Sequence, residues 1–308
     1  MNPKIRGAIC GILGAAFYGC NPLGALGLYE LGINSHTVLF FRFLLASLFL
    51  AGLMLVRHES FRVSGKELIT LLILGVIFSL TSLLMFISFH YIDAGVASTL
   101  IFVYPVMVAI IMAIFFREKI TLLTLCSIGL SLGGIGLLYQ GDGNSTLNLT
   151  GVILVMFAAL FVALHIIVIN RTGINIPATK MTFYVSVVSI FVVYAHSLMG
   201  DNQQIQWLST PAMWGYAMFM AVVPTVLALV MITVAIRDIG STPTAIMGAL
   251  EPVSAVMIGV LLFGEKFTLQ ILFGIILIIT SVLVIIYGQN MAKKKQAVKN
   301  ADSSKSIE

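Results

Sequence analysis

The chain has too little charge to face water. Asp, Glu, Lys and Arg together make up 9% of its 308 residues, where a soluble domain carries about 25%. A water-facing surface cannot be built from that stock, so the solvent is lipid. Cysteine is scarce as well. Cys10, Cys20 and Cys126 all lie in apolar runs; their spacing fits no metal motif, and an odd number argues against a disulfide framework. They read as small packing residues. No G-x-x-x-x-G-K-S/T phosphate loop occurs, so ATP is not the direct energy source. The absence of H-E-x-x-H and G-x-S-x-G weakens an intramembrane hydrolase. Neither a metal nor a cofactor is expected. The net charge of +5 does not suggest nucleic acid, because the basic residues fall at the ends of hydrophobic spans, where they set orientation.

What the chain has is apolar length: 59% of it is hydrophobic. A spanning helix needs ~20 mostly apolar residues. About ten such segments can be read, at 6–28, 35–56, 68–90, 95–116, 121–139, 150–169, 178–199, 211–236, 243–263 and 268–288. The breaks carry turn or charge signals, as in RHESFRVSGKE (57–67), GDGNSTLN (141–148) and GDNQQIQ (200–206). Lys4 and Arg6 precede an apolar stretch, as in a signal peptide. That stretch exceeds an h-region of ~7–15 residues and reads as a first membrane helix that stays. The triplets starting at Asn144 and Asn148 match a glycosylation acceptor but carry no weight. The tail after Gln289 is polar, and disorder is expected there.

Charge placement orients the segments. With the N-terminus in the cytoplasm and the segments alternating, Lys4, Arg6, Arg57, Arg62, Lys66, Arg117, Lys119, Arg171, Lys180 and Arg237 all fall inside, as do the tail lysines. Lys266 alone falls outside, and Arg42 lies within a segment.

The chain repeats itself. F-R-E-K-I-T (116–121) recurs as F-G-E-K-F-T (263–268), and Pro105 precedes Glu118 by the same distance as Pro252 precedes Glu265. Gly32-Ile-Asn likewise recurs at Gly173. Helices one to five therefore read as a duplicate of helices six to ten. Five is odd, so the second copy starts on the opposite side of the membrane, which makes the halves inverted repeats of the kind found in secondary transporters. The expected fold is an all-α polytopic membrane protein with ten transmembrane helices. Residues 1–144 form the first repeat, 145–290 the second and 291–308 a polar cytoplasmic tail.

F-Y-G-C-N-P (17–22), F-F-R-F-L-L-A (40–46) and the doubled P-V…F-x-E-K-x-T resemble the drug/metabolite transporter superfamily, EamA type, over about residues 5–288. The resemblance implies ten helices in two inverted halves, both termini cytoplasmic, a bacterial inner membrane, and export or exchange of small metabolites, amino acids among them. Tyr18 departs from the tryptophan that many members carry before the glycine.

Few polar residues interrupt the apolar runs. Glu251, in ALEPV (249–253), falls near the middle of its run, where a charge costs roughly 2.5–3.5 kcal/mol. Two readings stand: a proton or substrate-amine site, or a buried carboxyl bonded to a neighbouring helix. Thr244, Gly248, Pro252, Ala255 and Gly259 form a stripe of small residues beside it, suited to close helix packing. Pro252 predicts a kink near Glu251. The repeat mate of Glu251 is Tyr104, also before a proline. Asn21 and Pro22 interrupt helix one, and the aligned position in helix six is His165. Glu251, Tyr104, Asn21, His165 and Tyr18 are thus candidates for a substrate and proton pathway; for Tyr104 and His165 an ordinary packed or bonded role is the alternative. Arg42 reads as mainly structural, near the outer face, with attraction of an anionic substrate group as the alternative. Glu118 and Glu265 read as structural groups that cap the turns they sit in and pair locally. His90 and His196 read as solvated interfacial histidines near helix ends.

Together these residues point to a secondary transporter working by alternating access, an exporter of small organic metabolites with proton coupling, or else an uncoupled facilitator. An enzyme would show clustered catalytic groups near one face, and a receptor would carry a soluble signalling domain. The expected partners are a small-molecule substrate, the lipid bilayer and protons; monomer and homodimer are both compatible with ten helices.

Overall fold

A computed structural model describes residues 3–116, 122–140, 148–172, 176–200, 203–239, 244, 247–248, 250–284 and 287–288. Glu118, the boundary at 144/145 and the tail 291–308 lie outside the described residues. Among the described residues every regular element is helical. In chain order they are α1 (Pro3–Tyr18), α2 (Asn21–Glu30), α3 (Ser35–Val56), α4 (Gly65–Ser88), α5 (Ala94–Leu100), α6 (Tyr104–Phe116), α7 (Leu122–Gln140), α8 (Leu149–Thr172), α9 (Ala178–Ser197), α10 (Pro211–Ala221), α11 (Ala228–Ile239), α12 (Leu250–Phe263) and α13 (Leu269–Val284). A short 3-10 turn (Ile101–Val103) joins α5 to α6, and a π turn (Val222–Leu227) joins α10 to α11. Among the described residues, seven helical stretches are long and apolar enough to cross a bilayer, and Leu125–Leu137, Leu250–Phe263 and Leu269–Val284 are shorter apolar helices. The protein is a multi-pass, all-helical membrane protein.

Helix ends follow local chemistry. Asn34 caps α3, its side chain accepting from the Thr37 N–H at 2.8 Å. Ser64 and Glu67 form a reciprocal capping box at α4. Thr210 caps α10. Hydrocarbon offers no water to a broken helix, so freed carbonyls need internal donors. Cys20 Sγ donates to the Ala16 carbonyl, Asn21 Nδ2 to that of Tyr18, and Thr225 Oγ1 to that of Met220. Pro224 sits inside the π turn and accounts for it: its missing N–H and ring bulk break the regular ladder.

Packing crosses between the two halves of the chain. Helix α1 lies along α11, α3 along α9, α4 along α8 and α9, and α5 along α12. Small residues permit this. Gly75 lies against Val188, and Ser79 Oγ donates to Ser189 Oγ at 2.9 Å. Large apolar side chains such as Leu132, Phe191 and Phe273 point outward, as a lipid-facing surface requires.

The bundle has two chemically distinct ends. At one, Arg6 grips Asp238 through two bonds of 2.7 and 2.9 Å. There, too, Thr179 donates to Glu59 at 2.7 Å, Lys180 bonds the Arg62 carbonyl and Tyr184 bonds the Phe61 carbonyl. The other end is held by histidines and amides. The His36 and His196 rings meet nitrogen to nitrogen at 2.8 Å. Asn34 and Thr37 bond Gln204 and Gln206. His90 bonds Ser35 and lies against Tyr29. His90 and His196 are therefore engaged in specific bonds rather than simply solvated.

Candidate functional site

The helix breaks converge on one cavity of about 370 Å³. Tyr18 and Asn21 reach it from the α1–α2 break, Tyr104 from the start of α6, His165 from α8 and Glu251 from the first turn of α12. Five polar residues, scattered in sequence from Tyr18 to Glu251, thus share one wall space drawn from both halves. The approach is close: a side chain at Gly19 would come within 2.5 Å of the Glu251 carbonyl and 2.6 Å of Ser254. Pro252, Ala255 and Gly259 of the small-residue stripe are buried.

Arg42 belongs to the same cavity. It sits two turns into α3, is only 3% exposed, and does not snorkel to a headgroup region. Its Nε donates to Thr225 Oγ1 at 3.0 Å, and its guanidinium lies 5.8 and 5.6 Å from the ring centres of Phe43 and Phe86. The π turn is what presents Thr225 to Arg42. Among the described residues no ion pair joins Arg42 to Glu251, although both line the cavity. Taking a charge out of water costs several kcal/mol unless it is well partnered. The cavity thus holds a cation and a carboxyl that are not ion-paired with each other.

Two further polar atoms are short of partners among the described residues. Asn21 donates its amide N–H to the Tyr18 carbonyl at 2.7 Å, which leaves Oδ1 buried and unbonded. His165 Nδ1 is also buried and unbonded, and its ring tilts against Phe78. Phe78, Phe86, Ile101 and Phe102 supply the apolar wall. Most of a small ligand's body would meet hydrocarbon, and a few convergent groups would orient it. Arg42→Lys keeps the charge but loses the planar fork and the ring contacts. The variant is expected to need about tenfold more substrate for half-maximal flux, measured as initial rate against concentration.

Glu265 acts elsewhere than its sequence position suggests. Its carboxylate accepts from the Ala94 N–H at 2.8 Å and the Gly95 N–H at 3.2 Å, capping α5 rather than its own turn. Gly264 makes this possible by turning the chain at φ +66°. Burial raises the Glu265 carboxyl above its ordinary 4.5, while the two N–H donors pull it back down and Asp93 opposes them. The folded state thus holds that proton more tightly than the unfolded chain. The associated stability is present below the ordinary carboxylate range and is lost as pH rises through the raised value. Melting temperature in detergent is expected to fall across that interval in wild type, with a smaller fall in Glu265→Gln.

Residues 5–140 and 149–287 match the EamA-like transporter family. Two Bacillus subtilis (strain 168) proteins are similar. Uncharacterized transporter YvbV is 22% identical over 213 residues, 69% of each chain. Uncharacterized transporter YetK is 26% identical over 263 residues, 83% of this chain and 78% of its own. A solved crystal structure shares the fold at TM-score 0.65 and 12% identity, covering 91% of this chain and 96% of its own.

Proposed function

The chain belongs to the EamA-like transporter family, and from that premise we propose that it is a secondary active exporter of small organic metabolites, amino acids or related compounds, working by alternating access. The ten segments of the sequence are its ten spans, arranged as two inverted five-helix repeats. The basic end of the bundle is cytoplasmic, since Arg6, Arg57, Arg62, Lys66, Arg171 and Lys180 gather there. The protein sits in the bacterial inner membrane with both termini inside.

One observation carries this reading: a cavity walled by both halves holds Glu251 and Arg42 without an ion pair between them. Glu251 meets the ammonium group of a substrate or exchanges a proton, and Arg42 meets a carboxylate. Tyr18, Tyr104, Asn21 and His165 shape the space between. Because elements of the two repeats interleave around the cavity, a rocking of one half against the other can expose it to either side in turn.

The test is flux in proteoliposomes with a panel of neutral amino acids and nucleosides, with and without an imposed pH gradient. Gradient-driven accumulation of at least one panel member is expected. Flux that runs only down the compound's own gradient would make the protein a facilitator. Flux no faster than in protein-free liposomes would overturn transport of this substrate class.

A further inference from the structure

A second chamber, of about 480 Å³, lies at the basic end between the end of α3, the start of α9 and α11. Its apolar wall includes Leu50, Val230 and Val234. Its polar groups are Arg57, Glu59, Thr179 and Thr182. Like the central cavity, the chamber sets one arginine and one glutamate among apolar and uncharged polar side chains. Its frame is built, not loose. The left-handed turn at His58 (φ +53°) swings the chain back, and the Glu59 N–H closes onto the Met54 carbonyl at 2.9 Å. Thr179 then fixes the Glu59 carboxylate at 2.7 Å, and Lys180 and Tyr184 bond the carbonyls that follow. One residue, Leu229, lines both this chamber and the central cavity.

We propose that the second chamber is a separate binding station on the cytoplasmic side of the path, taking a small molecule with one cationic and one anionic group, and that Leu229 is the partition between the two stations. The inference rests on the transport reading above. Arg57 takes the ligand's anionic group, and the Glu59 carboxylate, held in place by Thr179, takes its cationic group. The ligand's body lies on Leu50 and Val230. Passage to the central cavity requires the Leu229 side chain to swing aside, after which Arg42 and Glu251 take over the same two groups.

The experiment places a cysteine at Val230 in a background where Cys10, Cys20 and Cys126 are serine. A charged, membrane-impermeant thiol reagent is applied from the cytoplasmic side of inside-out vesicles. Val230→Cys should react, and Phe191→Cys, on the lipid face, should not. A mixture of neutral amino acids at ten times its half-saturating concentration should slow the reaction about tenfold by mass action. Their decarboxylated amines and deaminated acids, at equal concentration, should protect far less. Arg57→Gln should raise the concentration needed for half-maximal protection, each rate being taken relative to that variant's own unprotected rate. Leu229→Trp should cut flux about tenfold while Val230→Cys stays reactive and protectable. If Val230→Cys does not react, the chamber is not open to the cytoplasm and the proposal falls. If it reacts without protection while wild type transports the same mixture, the second station is excluded and the transport reading stands. If wild type moves none of the mixture, it is the transport reading that fails, whatever the labelling shows.

Discussion

Glu251→Gln is expected to abolish pH-driven accumulation while leaving the protein inserted and folded. Glutamine has nearly the same shape and keeps one carbonyl acceptor, but it carries no charge and releases no proton. In the central cavity Glu251 is not ion-paired with Arg42, the cation that shares its wall, and in the proposed cycle its charge is met by a substrate ammonium or by a proton. Removing that choice should lower the gradient-driven initial rate by about 100-fold, ~2.7 kcal/mol on the rate-limiting step, and bring the steady-state accumulation ratio to that of liposomes without a gradient. The check is wild type and variant side by side in proteoliposomes, with detergent melting curves to show that both are folded. Full coupled accumulation in the variant would assign Glu251 a purely structural place.

Gly259→Val is expected to destabilise the protein strongly. A Cβ at Gly259 would lie 1.9 Å from the Glu265 carboxylate oxygen, far inside contact distance. A Cβ added at Gly95, across the same interface, would come within about 3 Å of the carboxylate and of the Val256 backbone. Valine at position 259 must therefore expel the carboxylate from the start of α5. The expected cost adds overpacking, ~1–3 kcal/mol, to a lost cap, ~0.5–2 kcal/mol, so about 1.5–5 kcal/mol in total. Glu265→Ala removes the cap without the clash and should cost less. In the double variant the two effects should fall short of their sum, because both act through one contact. Detergent melting of the four proteins measures this directly; a Gly259→Val protein that melts like wild type would show that the helices do not meet this closely.

Much of the architecture could be read from composition and periodicity, because lipid forbids any regular element that leaves backbone groups unbonded. The candidate cavity was legible for a related reason. Glu251, Tyr104, Asn21, His165 and Tyr18 stand out as polar groups or chain breaks within apolar runs, and burying such groups is tolerable only around a shared polar space. Arg42 was harder. Its place near the start of a segment suggested a mainly structural role near the outer face, and nothing nearby in sequence points to Thr225, 183 positions away, or to the π turn that presents it. Pro224 was the visible signal for that turn. Glu265 shows the same limit. Its sequence neighbours suggest a local cap, whereas the N–H groups it meets are 170 and 171 residues away. Hydrophobic patterning ranks which faces are buried; it does not say which buried faces meet.

The guanidinium of Arg42, held between two phenyl rings without a carboxylate against it, has an electrical consequence. With Glu251 ionised, the two side chains sum to no net charge; with Glu251 protonated, the cavity wall carries one positive charge. Moving one elementary charge through 100 mV changes its energy by about 2.3 kcal/mol, a factor of several tens in an equilibrium. A reorientation that shifts the field across this wall would then sense voltage in one protonation state and be blind to it in the other. In the proposed alternating-access cycle, acidity and membrane potential would act on the empty carrier through the same two residues, and a negative interior would itself favour one resting orientation over the other.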